Sequence, residues 1–274
     1  MYNPARVAAL YDAYGKKEWY RLTKDPAGLV SFHIHQHYLK EYFRSQDSVL
    51  ELGAGAGRFT IELAKLGASI TVGDISAEQL KLNQKYVGEY KYEAAIASRL
   101  QLDIIDLSMF EADTFDTIVC YGGALSYVLE EASTALTEMR RVLKPEGYLL
   151  LSVMSLIGTT QKYFESITEE PDFTQLVNQV NQNGLLDRAE SNKNSLKMYR
   201  AKELRQLLEA RQFTVVAMSA SNYLSLSRNE FLEQKIQNTD AWSDFLNWEL
   251  DFCGSDGCLD GGTHIIAVAK NDRK

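Results

Sequence analysis

From about residue 47 onward, the chain alternates short apolar runs with longer amphipathic segments. Residues 117–120 form an almost continuous β-branched and apolar run, which is typical of a strand covered on both faces. Leu136, Met139 and Val142 instead recur at helical spacing, which predicts an amphipathic helix. The pattern predicts strands at 48–52, 69–73, 100–103, 115–121, 148–154, 213–220 and 263–269, and helices at 59–66, 77–90 and 133–143.

Regular alternation of strands and helices predicts an α/β fold with a doubly wound, mostly parallel sheet and right-handed crossovers. Residues 144–147 read Lys-Pro-Glu-Gly. The proline ends the preceding helix at or before Lys144, and the glycine lets the chain turn into the next strand. We therefore expect a Rossmann-like sheet over most of the chain.

Three segments fall outside this alternation. Residues 1–46 are rich in tyrosine and predict helices at 5–14 and 26–43, which we interpret as an N-terminal helical lid. The segment at about 155–200 is polar and rich in Asn and Gln, and the segment at about 221–260 predicts two short helices. We interpret the last two as helical insertions in one domain that spans residues 47–274.

Composition and charge narrow the possible partners. The formal charge of −8 argues against wide contact with phosphate backbones, so no nucleic-acid partner is expected. The three cysteines lack zinc-ligand spacing and are expected to be free thiols in a reducing compartment. No charged-then-apolar leader opens the chain and no apolar stretch approaches the ~20 residues of a membrane span. We expect a cytoplasmic protein without a membrane partner, and the pattern leaves the oligomeric state open.

A glycine-rich loop follows the first predicted strand, in the order Glu51-Leu-Gly53-Ala54-Gly55-Ala-Gly57. Open α/β sheets bind ligands at the carboxyl end of this strand, where glycines permit a tight turn and close approach. A dinucleotide fingerprint would need its third small residue where Arg58 stands. An acid two residues before the first glycine instead suits a cationic ligand such as S-adenosylmethionine, which carries an ammonium and a sulfonium.

Acidic residues also follow the next two predicted strands. Asp74, beside Ile75, can accept both hydroxyls of a ribose, although it could alternatively cap the next helix, for which Ser76 is better placed. Asp103 is positioned to accept from an adenine amino group, with Ile104 supplying apolar cover and a backbone amide. These acids predict a nucleoside site at the edge of the sheet.

These motifs occur in the order and spacing of the class I S-adenosylmethionine-dependent methyltransferases, which the chain resembles most closely over residues 47–154. Residues 11–14 and 18–22 also resemble the helical lid of small-molecule members. The family's second glycine in the 144–147 turn is Glu146 here, far from the site. The resemblance implies a seven-stranded sheet with one reversed strand. With the lid aromatics, we expect these residues to contact the cofactor: Tyr11, Trp19, Glu51, Gly53, Ala54, Gly55, Asp74, Ile75, Asp103, Ile104 and Tyr121.

Methyl transfer demands little of the protein beyond holding donor and acceptor near attack distance and excluding water. Tyr121, directly after the fourth strand, is expected to line the site where the two meet. His33 and His37 share a helix face from which His35 points away, so no metal site is expected. His33 and His35 are candidates for a general base, and Tyr121 is a third catalytic candidate.

The sequence favours methylation of an O, N or C nucleophile on a small molecule. The acceptor pocket is expected to form from residues 1–46, 155–200 and 221–260. A non-catalytic S-adenosylmethionine-binding or regulatory protein is an alternative that keeps the same cofactor site. A nucleotide-dependent oxidoreductase on the related fold is disfavoured by the glycine spacing and Arg58.

Overall fold

The apolar runs assemble into one central sheet in the computed structural model, which describes residues 1–187 and 195–273. The strands are β1 (Ser48–Leu52), β2 (Ser69–Asp74), β3 (Ile96–Gln101), β4 (Phe115–Cys120), β5 (Leu143–Met154), β6 (Leu185–Leu186), β7 (Leu196–Lys197), β8 (Phe213–Ala220) and β9 (His264–Asn271). The main sheet has seven strands in the order β3-β2-β1-β4-β5-β9-β8, and β6 pairs with β7 alone.

Strand direction follows the predicted pattern. The first five strands pair in parallel, whereas β9 runs antiparallel to both β5 and β8. The predicted fold, a mostly parallel seven-stranded sheet with one reversed strand, is confirmed. Because parallel strands end at the same edge of a sheet, the loops after β1, β2, β3 and β4 converge there.

The helices lie where the amphipathic pattern predicts them, with ends within one residue for those at 5–14, 26–43, 59–66, 77–90 and 133–143. Their bounds are α1 (Pro4–Tyr14), α2 (Lys17–Tyr20), α3 (Pro26–Tyr42), α4 (Arg58–Lys65), α5 (Ala77–Glu89), α6 (Ala124–Tyr127), α7 (Ala132–Val142), α8 (Leu156–Lys162), α9 (Phe164–Thr168), α10 (Phe173–Asn183), α11 (Ala201–Ala210), α12 (Asn229–Lys235) and α13 (Thr239–Cys253).

Two apolar cores form, one on each face of the sheet. On one face, Leu136 of α7 and Leu204 of α11 are buried against the strands. On the other face, Ile34 of α3, Leu63 of α4 and Phe245 of α13 share a second buried cluster. Helix α3 and the two helices near the C-terminus, α12 and α13, therefore cover the same face.

The third strand is displaced from its predicted position. The prediction placed it at 100–103, whereas β3 is Ile96–Gln101. As an edge strand, β3 is only partly buried and includes Arg99, so it lacks the apolar run expected of an interior strand. Leu102 and Ile104 lie in the loop after β3, and both are buried in the first apolar core.

The turn at residues 144–147 also differs from the prediction, because it lies inside a strand rather than before one. Helix α7 ends at Val142, as expected, but β5 already begins at Leu143. The pairing register shifts between Phe115 and Thr117, and Glu146 takes a left-handed φ of 64°. The turn is therefore a bulge inside a long strand.

The N-terminal segment is tied to the sheet by polar contacts at α5. Asp12 accepts hydrogen bonds from the Ser76 hydroxyl and from the Glu78 amide at 3.1 Å. Gln79 Nε2 donates to the carbonyls of Tyr11 and Gly15 at 3.0 and 3.1 Å. These contacts hold α1 over the carboxyl end of β2.

The division into a lid at 1–46 and a domain at 47–274 stays a prediction. Of the insertion at about 155–200, residues 188–194 lie outside the described part of the chain. Among the described residues, no helix combines the length and apolar character needed to cross a bilayer.

Candidate active site

The loop after β1 depends on its glycines. Gly53, Gly55 and Gly57 have φ values of 63°, 53° and 97°, in the left-handed region that side chains disfavour. A Cβ on Gly53 would also lie 2.8 Å from the Cβ of Ala124. The loop thus forms a backbone-lined cradle that side chains would fill.

Glu51 lies at the base of this cradle and is 2% exposed. Its carboxyl accepts a hydrogen bond of 2.6 Å from the Thr60 hydroxyl, which in turn accepts one from Asn83 Nδ2 at 2.8 Å. Burial raises the pKa of Glu51 to about 8. A cation beside a buried acid of this kind would favour its charged form.

Asp74, the last residue of β2, ties the cradle to the second strand. Its two carboxyl oxygens accept from the backbone amides of Gly55 and Ser76, each at 2.8 Å. Burial raises the pKa of Asp74 to about 6, against the opposing effect of these two amides. Ser76 caps α5 through a bond from the Gln79 amide, so Asp74 is not the helix cap.

Asp103 follows β3 and already has a partner from the lid. Its carboxyl accepts from the Tyr2 hydroxyl at 2.8 Å and from the Ile105 amide at 3.2 Å. Burial and this carboxyl raise the pKa of Tyr2 well above its ordinary value. Asp106 instead accepts from the Ser108 amide at 3.0 Å in an exposed turn.

The cradle and the three acids line one cavity of about 90 Å³. Small-molecule sites usually measure ~300–1,000 Å³. Tyr2 and Tyr11 of the N-terminal segment form part of the wall of this cavity. Of the residues expected to contact the cofactor, the cavity is lined by Tyr11, Glu51, Gly53, Ala54, Gly55, Asp74, Ile75, Asp103, Ile104 and Tyr121.

Trp19 lies outside this cavity, contrary to expectation. Its ring stacks on Tyr86 of α5 with centroids 3.9 Å apart, and the Arg58 guanidinium lies 3.6 Å from its centroid. Arg58 Nε also donates to the Trp19 carbonyl at 2.8 Å. Through its contacts with Arg58 and Tyr86, Trp19 packs the lid against α4 and α5.

The histidine candidates also lie outside the cavities. His35 is buried, its Nδ1 bonds the Ser31 carbonyl at 2.7 Å, and burial lowers its pKa to about 4. Its ring meets Tyr121 edge-on with centroids 4.7 Å apart. His33 is on the same helix but does not line either of the cavities described here. Neither histidine is placed to touch a ligand, whereas Tyr121 lines the first cavity.

A second cavity of about 470 Å³ adjoins the first. The two share the lid residues Tyr11, Glu18, Arg21 and Leu22, with Gly122 and Tyr127. Its other walls come largely from the lid and the two insertions, together with Thr263 and His264. The second cavity thus occupies the place predicted for the acceptor.

An ion pair stands where the two cavities meet. Arg21 Nε donates to both carboxyl oxygens of Glu18, at 2.8 and 3.0 Å. The two side chains lie in the predicted lid segment at residues 18–22, but the sequence pattern alone does not mark them as site residues. Within residues 1–187 and 195–273, no group of three or more His, Cys, Asp or Glu side chains is arranged to hold a metal ion.

Comparison with known proteins agrees with this geometry. A family model described as a methyltransferase domain matches residues 50–151. A demethylmenaquinone methyltransferase from Mycobacterium marinum is 30% identical over 169 residues, which cover 59% of this chain and 67% of the relative. For three other curated methyltransferases, the match covers 48%, 62% and 49% of their own length.

Solved structures share the fold. An S-adenosylmethionine-dependent methyltransferase from Methanosarcina mazei aligns with a TM-score of 0.58 at 19% identity, over 86% of this chain and 98% of that one. A Burkholderia thailandensis 1,6-didemethyltoxoflavin-N1-methyltransferase, solved with its acceptor and S-adenosylhomocysteine, aligns with a TM-score of 0.57 at 16% identity, over 97% of this chain and 87% of that one.

The sheet order, the glycine cradle and the acids at three strand ends define a Rossmann-like nucleoside-binding protein. Together with the sequence match, these features identify the family. This chain belongs to the class I S-adenosylmethionine-dependent methyltransferases, which confirms the resemblance seen in its sequence.

Proposed function

We propose that this chain transfers a methyl group from S-adenosylmethionine to an O, N or C nucleophile on a small molecule. The observation that carries the proposal is the pair of adjoining cavities, one lined by the glycine cradle and acids and the other by the lid and insertions. The names of relatives support it, since one methylates demethylmenaquinone and a structural neighbour acts on 1,6-didemethyltoxoflavin.

The residues present fit the cofactor. Glu51 would face its ammonium, Asp74 its ribose hydroxyls and Asp103 its adenine amino group. The cofactor supplies a methyl group already activated by a positively charged sulfur. The protein then has to orient the acceptor and exclude water. Tyr11 and Tyr127 line both cavities, and their rings meet edge-on with centroids 5.7 Å apart.

We also propose a cytoplasmic setting and no nucleic-acid partner. The three cysteines are free thiols, two of them buried. The net charge of −8 supports a small-molecule acceptor over a polyanion.

Calorimetric titration with S-adenosylhomocysteine tests the cofactor half of the proposal. We expect Asp74→Asn to weaken binding by about 10- to 100-fold, because hydrogen bonds to charged groups contribute ~1.5–3 kcal/mol. Asp106→Asn is the matched control, an acid after the neighbouring strand that lies outside the cavity. Binding of NADH in place of S-adenosylhomocysteine would refute the proposal.

An acceptor library read out by S-adenosylhomocysteine release tests the transfer itself. Turnover of at least one small molecule is expected. Tight cofactor binding with no turnover across the library would favour a regulatory protein instead.

A further inference from the structure

His264 is the first residue of β9 and lies close to Gly122 and Gly123, near the place where the two cavities adjoin. It lines the second cavity, and its Nε2 lies 3.6 Å from where a Cβ on Gly123 would stand. Gly122, the neighbour of Gly123, lines both cavities. The free nitrogen of this ring therefore lies beside the boundary at which donor and acceptor would meet.

A chain of hydrogen bonds reaches Nδ1 of His264. Asn222 Oδ1 accepts from the Thr263 amide at 3.0 Å, from the Ser221 hydroxyl at 3.0 Å and from the Thr263 hydroxyl at 3.2 Å. When the Thr263 hydroxyl donates to Asn222 in this way, it can accept from His264 Nδ1, which lies 3.2 Å away. In that arrangement the lone pair of the ring is on Nε2.

The surroundings of His264 keep the ring uncharged. Burial lowers its pKa well below the ordinary value, and the charges of Arg21, His35 and Lys162 act in the same direction. At neutral pH the ring is thus uncharged, and Nε2 can accept a hydrogen bond. The buried His35 differs, because its ring does not line the acceptor cavity.

We infer that His264 is the general base of the reaction and that the acceptor presents an aromatic hydroxyl to its Nε2. This inference rests on the proposed methyl transfer. It assigns the ring a catalytic role, and it assigns Thr263 and Asn222 a positioning role through the ring nitrogen Nδ1.

The aromatic hydroxyl is inferred first from the walls of the second cavity. Phenols, with an ordinary pKa of ~10, also give up a proton far more readily than water or aliphatic alcohols, so they demand less of the base. Tyr11, Tyr14, Tyr127 and Tyr163 line the same cavity. Aromatic rings pack edge-on or offset against such side chains.

The step balances without any further reactant. A bond forms between the acceptor oxygen and the methyl carbon, while the sulfur–methyl bond breaks and its electron pair stays on sulfur. The oxygen–hydrogen bond breaks, and its proton passes to His264 Nε2 and then to solvent.

The test uses the full chain, S-adenosylmethionine and a series of substituted phenols, from 4-nitrophenol to 4-methoxyphenol, whose acidities fall on both sides of the assay pH. His264→Gln should lower kcat by about 10²- to 10⁴-fold for phenols that are still protonated. The loss should shrink for phenols that are already ionised, and KM should change less than kcat. His37→Gln, on the exposed side of α3 beside Glu41, is the control and should behave like wild type.

Two further variants separate catalysis from structure. With His264→Ala, added imidazole should restore turnover of protonated phenols. Thr263→Val should lower kcat for the same phenols because the ring loses its orienting acceptor, and Thr263→Ser should restore it.

The outcomes separate this inference from the function on which it rests. Failure of the wild type to bind S-adenosylhomocysteine refutes the proposed function. If the wild type binds it, then a His264→Gln kcat equal to wild type, or a loss that is the same for ionised and protonated phenols, overturns the general base. Cofactor binding without turnover of any phenol overturns the aromatic-hydroxyl class.

Discussion

Replacing Glu51 by Gln should stabilise the protein at alkaline pH while weakening its cofactor site. Glutamine keeps the shape of the side chain and an oxygen that can accept from the Thr60 hydroxyl. It removes the carboxyl that burial forces to hold its proton. The substitution therefore tests whether this acid is kept at a cost to stability for the sake of a cationic ligand.

The size of the effect follows from the shifted pKa of Glu51, raised from 4.5 to about 8. Below pH 4.5 both the folded and the unfolded chain hold the proton, so the shift costs nothing. Between the two values the unfolded chain ionises while the folded protein does not, so stability falls as pH rises. At about 1.4 kcal/mol per pKa unit, wild type should lose about 3 kcal/mol of unfolding free energy between pH 5 and pH 8 from this group.

Urea unfolding at several values between pH 5 and pH 8.5 measures this difference. The unfolding free energy of Glu51→Gln minus that of wild type should grow by about 3 kcal/mol across the range. The raised pKa of Asp74 acts in the same direction in both proteins and cancels in the difference. Glu233→Gln, at an exposed position of α12, is the control. Parallel curves for wild type and Glu51→Gln would refute the reasoning.

The same carboxyl should make cofactor binding depend on pH. Glu51 must ionise to face an ammonium, so the affinity of wild type for S-adenosylhomocysteine should rise by up to about tenfold per pH unit between pH 6 and pH 8. Calorimetry in buffers of different ionisation enthalpy should show proton release over this range. Glu51→Gln should bind more weakly and without this slope.

Three smaller perturbations test other contacts. Tyr2→Phe should tighten S-adenosylhomocysteine binding several-fold in calorimetry, because it frees the Asp103 carboxyl from a competing hydroxyl; unchanged or weaker binding would contradict that role. Trp19→Ala should lower the unfolding free energy by about 3 kcal/mol through lost packing. A large loss of cofactor affinity in a variant that keeps its stability would instead place Trp19 in the site. Glu249→Gln should destabilise the protein by a few kcal/mol in urea unfolding, because its buried carboxyl accepts from three successive backbone amides of the 223–225 loop; a neutral result would show that those amides find other partners.

The cofactor side of the site was predictable because local rules determine it. The glycine spacing after β1 follows from left-handed backbone conformations, which only glycine adopts freely. Glu51, Asp74 and Asp103 each stand at a strand end, and parallel strands bring such ends to one edge. A sequence that shows the strands therefore also shows which acids meet.

The errors arose where tertiary context overrides a local pattern. Strand β3 is an edge strand and contains polar residues, so it lacks the apolar run that marks an interior strand. The prediction therefore placed the strand too late in the chain, partly on the buried loop that follows. The aromatic Trp19 was expected to face the cofactor, but the direction of a lid side chain depends on how α2 packs, and here it faces Tyr86. Apolar character alone cannot tell a buried loop from a strand, or a packing ring from a ligand-binding one.

The segments that line the second cavity were predicted, but the group of Asn222, Thr263 and His264 was not, because long-range pairing builds it. The antiparallel ladder of β8 and β9 sets Ala220 opposite Ile265, and continuing the same register beyond the strand end sets Asn222 opposite Thr263. The Asn222–Thr263–His264 chain therefore exists only because β9 is reversed and returns beside β8. Neither strand alone marks any of the three as functional. If the proposed methyl transfer depends on His264, the reversed strand contributes to the chemistry of this protein as well as to the closure of its sheet.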